Sequence, residues 1–126
     1  MTRTGEFKLQ RQKGGVGYFG QVRVRVVPGE ADVVWAVPPE DRTSLQPRHD
    51  AEFVEAAVAG AREGVELVRS LGVDVARVEV VHAQLNVTDI EESAVRAAAA
   101  LAVGEAFGVA DRLVLTFDGG WRATTA

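Results

Sequence analysis

The sequence predicts an α+β domain, a two-layer sandwich in which a mixed sheet carries two helices on one face. Three observations predict it. Val22, Val24 and Val26 alternate with Arg23 and Arg25, the period of a half-buried strand. Val54, Val58, Ala61, Val65 and Val68 recur at alternating spacings of four and three, the period of a helix face. Strand-like runs stand before, between and after two helical segments, in the order β–β–β–α–β–α–β. At 126 residues the chain is one domain, 1–126, with its core at about 5–117 and a polar tail at 118–126.

Residues 5–12 place Phe7 and Leu9 on one side and Glu6, Lys8 and Gln10 on the other, a half-buried strand. Residues 13–21 follow with glycines at 14, 15, 17 and 20, and read as a tight loop rather than a strand interior. A strand at 21–27 ends at the turn signal Pro28-Gly29. An apolar strand at 31–37 is expected to pair with it. A polar connection, 38–50, holds three of the four prolines. Asp50 caps a helix over 51–71, with Phe53, Ala57 and Leu71 beside its apolar stripe, and Gly72 ends it. A strand at 75–85 leads through the loop 86–89 to a capping-box-like start, Asp89 with Glu92. The second helix runs to about 107, with Val95, Ala98, Ala99, Ala102 and Ala106 inward. Its Ala97–Ala100 run lets it approach a neighbour closely, and Gly108 stops it. Residues 112–117 form the last strand.

Composition narrows the chemistry. The chain is 47% hydrophobic and 25% charged, as globular domains are and disordered chains are not. The absence of cysteine excludes a disulfide framework, a thiolate zinc site and a cysteine nucleophile. No apolar run approaches the roughly 18 residues that span a membrane. The opening residues are basic without an apolar stretch, so no membrane partner and a cytoplasmic location are expected. The net charge of −4 is unevenly spread. Residues 1–25 set Arg3, Lys8, Arg11, Lys13, Arg23 and Arg25 against Glu6 alone, and the body is acidic. A basic end on an acidic body steers partners and offers phosphate contacts, but argues against a general duplex binder.

The glycine segment is not G-x-x-x-x-G-K-[ST], and a strand rather than a helix follows it, so no nucleotide cofactor is expected. Tyr18 and Phe19 beside the bend offer a stacking option for an RNA base. His82 and His49 have no partners at ligand spacing, so no metal is expected. Ser44, Ser70 and Ser93 lack a nucleophile-elbow context, and the carboxylates are spread over helix faces and caps. No catalytic residue is assigned, and the chain reads as a non-enzyme.

Residues 10–24, Q-R-Q-K-G-G-V-G-Y-F-G-Q-V-R-V, resemble the opening of domain IV of translation elongation factor G. The match falls on Gln12, Gly14, Gly15, Gly17, Tyr18 or Phe19, Gly20 and Val22. Residues 53–65 are similar to that family's first helix, with Gly60 at its internal glycine. Residues 88–107 are similar to its loop-to-helix segment, with Glu105 and Phe107 at the end. The three blocks stand in the family's order and span about residues 5–117.

The resemblance implies the fold of the second domain of ribosomal protein S5. It also implies a tip that reaches the decoding region of the small ribosomal subunit. Carried over, the tip comprises Gly14, Gly15, Val16, Gly17, Tyr18, Phe19 and Gly20, with Gln84, Leu85, Asn86, Val87, Thr88 and Asp89 as its second segment. Both turns then lie at one end of the sheet. Arg11, Lys13, Arg23 and Arg25 would meet phosphates.

The sequence departs from the family in four places. No GTPase domain is present, the family's tip histidine aligns with Asn86, the 38–49 connection differs, and T-F-D-G-G lacks the family's Glu-Pro turn. The expected function is a non-catalytic, stand-alone module that binds the ribosome or a translation complex. The alternative is a protein-interaction or homo-oligomerisation module that kept the fold without ribosome binding.

Overall fold

The computed structural model describes residues 3–126. The element order is β1 (Arg3–Lys13), β2 (Val16–Val27), β3 (Val33–Trp35), α1 (Ala51–Ser70), β4 (Arg77–Ala83), α2 (Glu92–Ala106), a short 3-10 turn (Ala110–Arg112), β5 (Leu113–Phe117) and β6 (Trp121–Thr125). The α+β class stands. β1 to β4 form a mixed sheet in the order β1-β2-β4-β3, and β5 and β6 form a separate two-stranded sheet.

Three local expectations change. The glycine segment is a two-residue turn, not a loop over 13–21. Lys13 pairs with Val16, and Gly14 and Gly15 take φ of +58° and +80°, the left-handed pair that a tight hairpin demands. Gly17 and Gly20 lie inside β2. They are there for space: a Cβ at Gly20 would come 2.5 Å from the Ala94 carbonyl carbon, so α2 can rest directly on the strand. The second change is in pairing. β3 runs parallel to β4 and does not pair with β2. The βαβ crossover through α1 brings β4 between them, antiparallel to β2 with a bulge between Arg23 and Val24. Third, the expected polar tail is β6. It pairs with β5 across Asp118–Gly120, and neither strand joins the main sheet.

The inner face of β2 behaves as its alternation predicts: Val22, Val24 and Val26 are buried. α1 packs beside α2 and touches β3 and β4, while α2 lies over β1 and β2. α2 is buried almost all round, from Ala94 and Val95 through Ala97–Gly104 to Ala106. Small side chains make that possible, because a helix enclosed by two layers and a hairpin has little room for bulk on any side.

The caps also differ from expectation. Asp50 occupies the N-cap of α1 but makes no side-chain capping bond; its carboxylate accepts the Gln46 N–H at 3.0 Å. α2 is capped by Glu91 rather than Asp89. Glu91 accepts the N–H groups of Ser93 (2.9 Å) and Ala94 (3.1 Å). Ser93 Oγ donates to Glu91 at 2.6 Å and accepts the Trp121 N–H at 2.9 Å, which ties β6 to the start of α2.

Candidate nucleic-acid interface

The two tip segments, far apart in sequence, are joined in space. Phe19 N–H donates to the Asp89 carbonyl at 2.9 Å, and Glu91 N–H donates to the Phe19 carbonyl at 3.3 Å. Phe19 and Ile90 form a parallel bridge. A Cβ at Gly17 would sit 2.6 Å from Asp89 Oδ1, so glycine lets the second segment close on the hairpin. That segment is locally stiffened. Asn86 Oδ1 accepts the N–H groups of Thr88 (3.0 Å) and Asp89 (2.9 Å), an Asx-type turn. The Asn86 side-chain oxygen is therefore turned onto its own loop. Thr88 and Asp89 are exposed, and Val16 and Val87, one on each segment, are 52% and 88% exposed.

Two residues leave the expected contact set. Phe19 is 2% exposed, with Lys8 Nζ 5.9 Å above its ring, and Gly20 is buried against α2. The reason is β2's length: the strand runs through both positions, so they cannot lie on an open loop. Tyr18 is half-buried. Its ring meets Phe117 and Trp121 edge to face, with centroids 5.5 and 5.9 Å away, and Phe117 meets Trp121 at 5.0 Å. Lys13 Nζ stands 5.4 Å from the Phe117 ring centre. Sequence reasoning misses Phe117 and Trp121. The Asp118-Gly119 pair between a strand and a tryptophan is the hairpin signal that points to them.

The four cations expected to meet phosphates divide by face. Arg11 pairs with Tyr18 and lies, with Lys13, on the helix side of the hairpin. Arg23 and Arg25 alternate with the buried valines and lie on the other side. Arg25 reaches Glu79 Oε1 through Nε (2.9 Å) and Nη2 (2.5 Å).

A polar chain crosses that outer face. Gln84 N–H donates to Gln21 Oε1 at 2.9 Å, which identifies that atom as the amide oxygen; the Gln21 amide nitrogen donates to Glu6. His82 Nδ1, 3.1 Å from the same oxygen, must then carry the ring proton. His82 Nε2 faces Thr43 Oγ1 at 3.1 Å, and Thr43 donates to Asp41 at 2.6 Å. Burial first, and then Arg23, hold His82 below the usual imidazole range, against the pull of Asp41 and Glu6. The Thr43 hydroxyl and N–H hold Asp41 below the usual carboxylate range. His82 is thus bonded through Nδ1 to Gln21, tying β4 to β2, while its Nε2 faces a Thr43 hydroxyl whose one proton goes to Asp41. Among the described residues no group of three or more histidines and carboxylates is placed to hold a metal ion. No described helix is long and apolar enough to cross a membrane.

No protein-family model and no curated protein matches the chain. Among solved structures, the fold is similar to part of ttk003000868 from Thermus thermophilus, with a TM-score of 0.68 at 17% identity. The match covers 97% of this chain and 23% of that one. This chain thus spans about a quarter of that protein's length, and the likeness concerns the fold.

Proposed function

We propose that this domain contacts ribosomal RNA, or a complex of the translation machinery, through the joined tip of the β1–β2 hairpin and the segment before α2. The observation that carries the reading is the bond from Phe19 N–H to the Asp89 carbonyl, with Gly17 seated on the Asp89 side chain. It unites the two segments that the resemblance to elongation factor G domain IV marks as the tip, beside the basic strand end bearing Arg11 and Lys13. No catalytic role is part of the proposal. Co-sedimentation with 30S subunits and 70S ribosomes at two salt concentrations tests it. Association that weakens as salt rises is expected, because phosphate contacts release counterions. A chain that stays in the supernatant at low salt refutes it.

A protein-interaction or oligomerisation module is the second reading. The exposure of Val16 and Val87 favours it, since apolar side chains on both tip segments suit a protein surface. Light scattering on the isolated chain separates the two: a particle heavier than the monomer, without ribosome association, supports this reading.

A further inference from the structure

On the outer face of the hairpin, carboxylates stand beside the arginines. Glu6 stands opposite Arg23 across the strands without an ion pair to it, its carboxylate accepting from the Gln21 amide. Glu79 takes both Arg25 bonds and has Arg77 Nε 3.9 Å from its second oxygen. The helix-side face differs. Among the described residues neither Arg11 nor Lys13 makes an ion pair. Arg11 Nη1 donates only to the neighbouring Gln10 carbonyl, at 3.4 Å. Neither Asp89, beside Gly17, nor Glu91, bonded to Phe19, nor Asp118, in the β5–β6 turn, lies within ion-pair distance of the two cations. Arg11 and Lys13 are two residues apart on one strand face, so they project about 7 Å apart. Successive phosphates of an extended RNA strand can match that step.

The aromatic residues beside them are poor stacking platforms. Tyr18, Phe117 and Trp121 form a closed triangle of edge-to-face contacts, so each ring is already met by two others. The triangle is instead a stiff wall that holds Lys13 in place over Phe117.

We infer that RNA is gripped at this domain by phosphate contacts from Arg11 and Lys13 on the helix-side face of the hairpin, without base stacking on Tyr18 and without Arg23 or Arg25. The inference rests on the function proposed above and makes β5–β6 part of the binding surface as the support of Lys13.

The test uses the full chain with a short oligouridylate, an abasic oligomer of equal length, and 30S subunits, over a salt series. Arg11→Gln with Lys13→Gln should lower the slope of log affinity against log salt by about 1.4, at roughly 0.7 per phosphate contact on a single strand. Arg23→Gln should leave the slope unchanged. The abasic oligomer should bind like the oligouridylate. A parent chain that binds neither oligomer nor subunit overturns the functional reading and the inference together. A parent that binds, but loses slope only through Arg23→Gln, or binds the abasic oligomer at least tenfold more weakly, overturns the inference alone. Salt-insensitive association with 30S subunits, with no binding to either oligomer, points to a protein contact and also overturns it. Circular dichroism confirms that each variant is folded before its slope is read.

Discussion

Gly60 of α1 and Arg96 of α2 meet backbone to backbone: a methyl group at position 60 would overlap the Arg96 carbonyl. Beside that contact, Glu63 and Arg96 form an ion pair between the two helices. The close approach sets how tightly α2 packs beside α1 on the sheet. On an exposed helix, Gly→Ala would add about 1 kcal/mol through helix propensity. Here the added methyl meets backbone, which cannot rotate away, and overpacking of this kind costs about 1–3 kcal/mol. Gly60→Ala should therefore lower stability in urea denaturation, and a higher midpoint would show that the helices separate easily.

The alanine face of α2 makes a related demand. Ala99 and Ala102 are both 0% exposed. Ala99→Leu or Ala102→Leu should each destabilise by about 1–3 kcal/mol, since the enclosed helix has no open side to receive three more carbons. Two variants that melt with the parent would contradict that enclosure.

Ser93 joins the start of α2 to β6. Ser93→Ala removes the donor to Glu91 and strands the Trp121 N–H that Ser93 Oγ now accepts. The bond is only part-buried, so its loss should cost about 0.5–1.5 kcal/mol, the net contribution of an ordinary intramolecular hydrogen bond. Loss of stability should come with a shift in tryptophan fluorescence, because Trp121 belongs to the aromatic triangle. Unchanged emission would mean that the hairpin is held by the aromatic contacts alone.

His82 gives a pH dependence with a definite sign. Its folded-state pKa lies below the ordinary value of 6.5, so the unfolded chain takes up the proton first as pH falls. The stability it contributes is present above pH 6.5 and is lost as pH falls through the folded-state value. Tm should drop as pH falls below about 6.5, where the unfolded chain takes up the imidazole proton. The drop should be smaller in His82→Gln. Asp41 acts in a separate window below 3.8, where the protonation of its carboxyl removes its bonds to Thr43. A parent whose Tm is flat across the first window would show that His82 gains as much from Asp41 and Glu6 as it loses to burial.

Local periodicity in the sequence determines the α+β class, the two helices, the inward valines of β2 and the close-packing character of the Ala97–Ala100 run. Each is written in consecutive residues, where side-chain period and bulk decide the outcome without reference to distant chain. The cap on α2 lies two residues beyond the one the sequence suggests, because Asp89 and Glu91 are both acceptable acceptors and only the path of the loop selects between them. The glycine segment reads as a tight loop over 13–21 because glycine in sequence does not distinguish freedom from closeness. Gly14 and Gly15 use the freedom, while Gly17 and Gly20 give room to Asp89 and Ala94. The tertiary structure alone decided that β4 lies between β2 and β3 and that β5–β6 forms a sheet of its own. Strand order and the partner of a short strand depend on which surfaces can be buried together across long separations. A single chain of residues encodes that only in the sum of its contacts.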